Sequence, residues 1–198
     1  MGVPSFRGIV CHGGLATMRA AGPLGLRAIA ELDPSHLDRI ERTSKLGWVP
    51  AECLHALNLK YFALAGEQDY LALWRDYTAG SHQESFFQGL YASALRIFGR
   101  TPVGLVRWMG RAWEVTTREH GQVVVEDDGD GVRVRLLGCP PAVRVPTLPL
   151  TMQATVQALI ALGGGVPQVE LDADGFERTG ACAIAGRWLL AEHGATVR

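Results

Sequence analysis

Cysteine and histidine residues are the first candidates for chemistry in this sequence, because they can ligate metals. The closest pair is Cys53 and His55, which lie two residues apart. Their surroundings have helical periodicity, and in a helix residues two apart point about 200° away from each other. Such a pair cannot chelate one ion well. No zinc-binding or metalloprotease spacing is present. The sequence therefore predicts no metal site; one assembled in space would use Cys53, His55 and His82.

Haem needs only one well-placed histidine or cysteine in an apolar pocket. His55 and His82 lie in or beside helical segments rich in apolar residues, so either could be an axial ligand. A lone helical histidine can equally have a structural role. We therefore predict no bound cofactor, with haem or another small hydrophobic molecule as the open alternatives.

Catalytic motifs are absent: there is no GxSxG elbow, P-loop or GxGxxG sequence. The serines Ser35 and Ser81 are interpreted as helix caps. An acidic cluster is interpreted as a solvated hairpin tip, not as a calcium site or an acid/base pair; it comprises Glu126, Asp127, Asp128 and Asp130. The chain is predicted not to be an enzyme. The alternative is a spatially assembled site that uses Cys53, His55, His82 or Cys139.

Aromatic residues are concentrated in three successive helical segments between residues 51 and 98. Most must be core, but the surplus suits either an apolar ligand pocket or a homodimer face. The ligand-lining residues predicted from this half and the following helix are Tyr61, Trp74, Phe87, Tyr91, Trp108 and Trp113. Arg107 and Arg111 are four residues apart and share a helix face, where an anion or a partner's carboxylates could dock. A solvated face is the alternative.

Apolar residues recur at helical spacing through most of the first half. Four places carry signals for the start of a helix: Ser35, Trp48-Val49-Pro50, Ser81 with Glu84 three residues on, and Thr101-Pro102. Gly66 is predicted to end one helix. The segment FRGIVCH, residues 6–12, is predicted as a short strand because it carries β-branched residues.

From Trp113 the apolar period changes from helical to alternating, which predicts a strand. Gly129-Asp130-Gly131 predicts a hairpin, and Val132, Val134 and Leu136 alternate with arginines after it. Residues 113–138 are thus predicted to form a three-stranded meander. A helix from Leu150 to Leu162 and two final strands follow.

Composition favours one globular domain over residues 1–198, with a helical half at about 14–112 and a sheet-rich half at about 113–192. The hydrophobic fraction is 47% and the net charge is −1, which argues against nucleic-acid binding. We find no signal peptide and no apolar run of about 18 residues. A cytoplasmic protein with reduced cysteines is predicted.

Short motifs along nearly the whole chain resemble a group of uncharacterised bacterial proteins, domain-of-unknown-function family 2378. The motifs are Phe6-Arg7-Gly8, Trp48-Val49-Pro50, Gly99-Arg100-Thr101-Pro102, Trp113-Glu114-Val115, Leu136-Leu137-Gly138-Cys139-Pro140, and Ala181-Cys182 with Arg187-Trp188. The layout is similar to vinyl-reductase-type, haem-NO-binding-associated and TRAPP-subunit-like domains. This resemblance implies an α/β sandwich with a helical layer, frequent dimers, an internal apolar cavity and no catalytic residues.

The element order predicts an α+β fold, in which a helical N-terminal half packs on an antiparallel sheet of about four to five strands. The predicted function is a non-catalytic ligand-binding or sensory module with an apolar pocket between helices and sheet, which acts through a protein partner. A homodimeric interaction or scaffold protein and a haem- or metal-binding sensor are the alternatives.

Overall fold

The computed structural model describes residues 2–81 and 85–190. The helices in this part of the chain are α1 Gly8–Ala20, α2 Pro23–Ala30, α3 Pro34–Arg42, α4 Ala51–Ser81, α5 Ser85–Phe98, α6 Pro102–Thr116, α7 Thr147–Leu162 and the short α8 Phe176–Thr179. The strands are β1 Ser5–Arg7, β2 Trp48–Pro50, β3 Thr117–Arg118, β4 Gln122–Asp128, β5 Gly131–Leu137, β6 Gly165–Asp172 and β7 Cys182–Leu190.

Two antiparallel sheets support these helices. The larger sheet has the strand order β4-β5-β7-β6, and the smaller one has the order β2-β1-β3. Helix α7 packs against α4 on one side and against β6 and β7 on the other. The predicted α+β class, with N-terminal helices over an antiparallel sheet, is confirmed.

The hairpin between β4 and β5 follows the predicted pattern. Asp128 pairs with Gly131 across the turn, and Gly129 there has a φ of 64°, a backbone conformation that glycine adopts readily. Val132, Val134 and Leu136 are buried beneath helices, whereas Arg133 points to the outer face. Alternation with period 2 therefore fixes which face of this sheet meets the core.

The strand predicted over residues 6–12 is wrong beyond Arg7. Strand β1 ends there, and α1 begins at Gly8. The first amides of α1, those of Gly8 and Ile9, donate to the carbonyls of Gly47 and Lys45 at 2.9 and 2.8 Å. A Cβ on Gly8 would lie 2.1 Å from the Ser44 carbonyl oxygen, so only glycine permits this close approach. The turn at residues 44–47 thus accepts hydrogen bonds from the first amides of α1 and fixes where this helix begins.

Two predicted helix starts are displaced. Asp33, not Ser35, is the N-cap of α3: its carboxylate accepts from the Ser35 amide at 2.8 Å, with Pro34 in the first turn. Likewise Trp48-Val49-Pro50 forms β2, which pairs with β1, and α4 begins only at Ala51. Pro50 is tolerated there because this strand lies at the edge of its sheet.

Gly66 interrupts α4 with a φ of 80°, so the helix consists of two segments that meet at the predicted break. Ser81 is the last residue of α4, and Glu84, its partner in the predicted capping box, lies outside the described residues. Thr101 caps α6 as predicted, and its hydroxyl accepts from the Gly104 amide at 3.1 Å.

The strand predicted to start at Trp113 is also wrong. Helix α6 continues to Thr116, and the three-stranded meander is instead the β4-β5 hairpin plus a separate two-residue strand, β3. Thr116 and Thr117 stabilise the helix end by donating hydroxyl bonds to the carbonyls of Ala112 and Trp113. Strand β3 then pairs with β1, which brings the end of α6 beside Phe6.

Within residues 2–81 and 85–190, none of the helices combines the length and the apolar composition that crossing a bilayer requires.

Candidate ligand-binding cavity

An apolar cavity of about 150 Å³ lies between α4, α5, α6 and α7, with β1 and the start of α1 at one end. This volume equals that of an engineered cavity that binds benzene, and it is smaller than the roughly 300–1,000 Å³ of pockets for drug-sized ligands. Aromatic rings and aliphatic side chains supply most of the wall. The cavity therefore has room for about one aromatic ring.

Five of the six predicted ligand-lining residues contribute to this wall: Trp74, Phe87, Tyr91, Trp108 and Trp113. They come from three different helices. Tyr61 is buried in the core but is not among the residues that line the cavity. Gly66 separates Tyr61 from the second segment of α4, where Trp74 and Tyr77 lie.

Charged side chains do not occur among the described residues that line the cavity. Its hydroxyl groups are satisfied locally. Thr151 and Thr155 donate to carbonyls one turn back in α7, each at 2.9 Å, and Thr78 does the same in α4 at 2.9 Å. These threonine hydroxyls are therefore not free to donate hydrogen bonds to a ligand.

His55 is the exception. Its side chain is 4% exposed, and neither ring nitrogen has a hydrogen-bond partner among the described residues. Burial, reinforced by His120 nearby, lowers the pKa of His55 to about 3, so the imidazole is neutral. Another lining residue, Asn58, has an occluded side-chain oxygen without a partner in the described chain. Buried polar groups normally have partners, and their absence here points to a ligand or water.

His120 lies directly behind His55 and was not singled out in the sequence. Its Nδ1–H donates to the Arg118 carbonyl at 2.7 Å, which leaves Nε2 as an unprotonated nitrogen with no partner in the described part of the chain. Burial lowers the pKa of His120 to about 4, although the Arg118 hydrogen bond acts in the opposite direction. The Phe6 ring centroid lies 5.3 Å from that of His55 and 4.2 Å from that of His120.

The donor atoms at the cavity suit haem chemically, but the volume of the cavity is too small for haem. A neutral, unpartnered imidazole at an apolar cavity is the kind of axial ligand that haem requires, and His55 supplies it. However, the described wall carries no cation for the haem carboxylates, and about 150 Å³ is too small for a macrocycle built of several rings. Haem could enter only if the helices around the cavity moved apart.

A separate polar cluster lies on another side of α4. A ring nitrogen of His36, a carboxylate oxygen of Glu52 and the Cys53 sulfur all lie within 4.8 Å of one another. Burial and the Glu52 carboxylate raise the pKa of the Cys53 thiol, while the Arg39 charge opposes this effect. Of the predicted set of Cys53, His55 and His82, Cys53 lies in this cluster and His55 lies at the cavity, whereas His82 lies outside the described residues.

The two cysteines of the alternative enzyme site have different surroundings. The Cys139 thiol donates to the His120 backbone carbonyl at 3.1 Å, whereas Cys53 lies in the cluster with His36. Both cysteines are buried, and burial raises the pKa of Cys139 to about 12, so its thiol is protonated.

The arginines of the predicted anion face already have partners. Arg107 pairs with Asp127 at the hairpin tip, and Arg111 pairs with Glu114 at 2.8 Å on its own helix. The acidic residues of the hairpin tip also have partners: Arg133 donates to Asp128 at 2.8 Å, and Arg135 donates to Glu126 at 2.5 Å.

Solved H-NOX (haem-NO-binding) domains have a similar structure over nearly the whole chain. The unliganded Fe(II) H-NOX protein of K. algicida is 11% identical with a TM-score of 0.62, and the match covers 96% of this chain and 100% of that one. A single-residue variant of Tt H-NOX is 10% identical with a TM-score of 0.60, over 97% and 100%. An oxygen-binding H-NOX domain related to soluble guanylate cyclases is 10% identical with a TM-score of 0.57, over 97% and 100%.

No protein-family model and no curated protein sequence matches the chain. At identities this low the structural similarity shows a shared fold. It supports the haem-NO-binding side of the predicted resemblance, while the likeness to family 2378, to vinyl-reductase-type domains and to TRAPP subunits stays a prediction.

Proposed function

We propose that this chain is a sensor domain, which binds a small molecule in the aromatic cavity and conveys the bound state to a partner protein. The observation that carries the proposal is His55, a buried neutral imidazole without a hydrogen bond in the described structure, at the wall of an apolar cavity. Leaving such a group unpaired costs about 1–3 kcal/mol, and a ligand that bonds to it would recover that free energy.

Haem is the ligand that the shared fold favours, because the similar structures include Fe(II) and oxygen-bound H-NOX proteins. His55 would hold it through one ring nitrogen, and the haem would supply an iron at which a diatomic gas binds. The aromatic wall would exclude water from that space. Binding would require the helices to separate, which is a conformational change that a partner protein could detect.

A single-ring apolar molecule with one polar atom is the second candidate, and the cavity volume favours it. About 150 Å³ accommodates such a ring without rearrangement. The His55 ring nitrogens and the Asn58 side-chain oxygen lack partners in the described structure, and small side-chain movements would present them to one polar substituent. In this case the chain would sense a metabolite and not a gas.

A haem titration tests the first ligand. Ferric haem is added to the purified chain, and the Soret absorbance is followed. We expect one equivalent to bind, a spectrum typical of histidine ligation, and loss of that spectrum in His55→Gln. The matched control is His36→Gln, which changes a histidine on the neighbouring α3, away from the cavity, and retains the spectrum.

Thermal unfolding with phenol and indole tests the second ligand. Filling of the cavity raises the melting temperature of the wild type, and Ala112→Leu, which adds side-chain volume at the wall, removes the rise. The proposal is wrong if neither haem nor these ring compounds bind. It is also wrong if haem binds to His55→Gln, and the ring compounds to Ala112→Leu, as well as they bind to the wild type.

The partner protein and the homodimer stay predictions. Some of the aromatic rings that suggested a dimer face, including those of Trp74, Phe87 and Tyr91, line the cavity, which weakens that argument for a dimer. Light scattering at micromolar concentration distinguishes a monomer from a dimer, with and without bound ligand.

A further inference from the structure

The cluster of His36, Glu52 and Cys53 is the strongest unexplained feature outside the cavity. Helix α3 contributes the histidine, and the first turn of α4 contributes the other two residues. The donor atoms of all three lie within 4.8 Å of one another. They come from two helices joined by a chain segment that includes β2, so tertiary packing brings them together.

A second observation indicates that the histidine awaits a partner. The Nδ1 atom of His36 is occluded from solvent, yet it has no hydrogen bond within the described residues. Glu52 is exposed, and its carboxylate has the freedom to move. Cys53 is buried, so its sulfur is held in place.

We propose that His36, Glu52 and Cys53 bind a zinc ion with one open coordination position. Imidazole, carboxylate and thiolate are the three protein ligand types of zinc, and a site with three protein ligands leaves a fourth position for water or a substrate. Magnesium and calcium prefer oxygen ligands alone, so a single carboxylate gives them no adequate site.

Geometry and charge are compatible with this ion. Zinc–ligand distances of 2.0–2.3 Å place tetrahedral ligand atoms about 3.5 Å apart, so the exposed Glu52 and the His36 ring need to close by about 1 Å. The thiol releases its proton to solvent when it binds, and the resulting thiolate with the carboxylate neutralises the ion. The Arg39 charge near Cys53 lowers the pKa of the thiol and so favours the thiolate, although it also repels the zinc cation.

The test is zinc binding by the full chain after treatment with a chelator, measured by competition with a colorimetric chelator. We expect one zinc per chain. Loss of a residue that merely orients a ligand typically costs 10- to 100-fold in affinity, so Cys53→Ser and His36→Gln should each cost about 100-fold or more. Glu52→Gln should cost less, because water can replace an exposed carboxylate. The matched controls are Cys182→Ser, at another buried cysteine, and Glu67→Gln, at an exposed position of α4; both should bind like the wild type.

Zinc should also raise the melting temperature of the wild type by about 5–10 °C at a free concentration near 100 times Kd. Cobalt substitution reports the thiolate in the unaltered protein, through a thiolate-to-cobalt charge-transfer band, even if Cys53→Ser fails to fold. A wild type that binds zinc no more tightly than Cys53→Ser, or a cobalt complex without that band, would overturn the proposal. Because His55→Gln leaves these ligands untouched, its zinc affinity should equal that of the wild type.

Discussion

The first turns of α4 carry two polar sites with opposite properties. On one side Cys53 meets Glu52 and His36, so that three potential ligands converge and one of them reaches solvent. On the other side His55 lies against Phe6 and His120 at the apolar cavity, and its ring nitrogens have no partner in the described structure. Yet Cys53 and His55 are only two positions apart in the sequence.

The difference between these sides lies in what the neighbouring element supplies. Helix α3 brings a polar residue to Cys53, whereas β1 brings an aromatic ring to His55. Three donor atoms that converge on one point favour a metal ion, because all of them can coordinate the same cation. An isolated polar atom in an apolar wall favours an organic ligand, because it can fix the orientation of a mostly apolar molecule.

The largest expected effect is a loss of stability in acid, which arises on the His55 side of α4. Burial holds the pKa values of His55 and His120 at about 3 and 4, below the ordinary 6.5. The unfolded chain therefore binds more protons, and the folded state loses stability as pH falls below 6.5. At pH 5, which is 1.5 units below the ordinary pKa, each buried imidazole lowers the free energy of unfolding by about 2 kcal/mol. The free energy of unfolding of the wild type should therefore fall by about 4 kcal/mol between pH 7.5 and pH 5.

Urea unfolding at the two pH values measures this loss. The matched variant His55→Leu should lose about 2 kcal/mol, because only His120 then resists protonation. An identical loss in the wild type and the variant would show that His55 is not a buried neutral imidazole.

His55→Leu should by itself stabilise the empty protein at pH 7.5. Replacement of an unpaired buried imidazole by an apolar side chain of similar size removes a cost of about 1–3 kcal/mol. The same variant should lose the haem spectrum described above, since leucine has no nitrogen that would hold the haem. A variant that is less stable than the wild type would mean that His55 has a structural partner, and the proposed function would then lose the observation on which it rests.

Local patterns were sufficient to predict much of the fold. Alternation along β5 identified its buried face, and Thr101-Pro102 identified the start of α6, because both signals depend on adjacent residues. Prediction failed where distant residues decide. Gly8 begins a helix because the turn at residues 44–47 accepts its amide, and Trp113 remains helical although its neighbours alternate.

The two sites show the same limit. Helical geometry correctly separated Cys53 from His55, but nothing local indicated that His36 would approach Cys53 across β2. His120 follows a residue with a φ of 53° and reaches His55 only because β3 pairs with β1. Five of the six aromatic residues predicted to line a pocket lie at the cavity, because their concentration in neighbouring helices is visible in the sequence; that they bind a ligand stays a prediction.

Gly13→Ala tests whether the cavity depends on the packing of its wall. A Cβ at Gly13 would lie 2.4 Å from the ring of Tyr77, which lines the cavity, so this half-buried ring must move. We expect a loss of about 1 kcal/mol and weaker binding of phenol. Gly80→Ala on α4 is the control: it has open space and should gain up to about 1 kcal/mol. Zinc affinity should be unchanged in both variants, and a parallel loss of zinc would show that the two sides of α4 are coupled.

The smallest effects are expected at the arginine face, away from both sides of α4. Arg107 joins α6 to the hairpin tip through Asp127, and Arg111 pairs within the helix with Glu114; the arginine side chains are 43% and 68% exposed. Exposed pairs contribute little, so Arg107→Gln and Arg111→Gln should each change the free energy of unfolding by less than about 0.5 kcal/mol. A double-mutant cycle of Arg107→Gln with Asp127→Asn should give a coupling that vanishes in high salt, because screening removes interactions between exposed charges. A coupling that persists in 1 M salt, where charges are screened within about 3 Å, would mean that this pair fixes the position of the hairpin, and the arginine face would then be structural and not a docking surface.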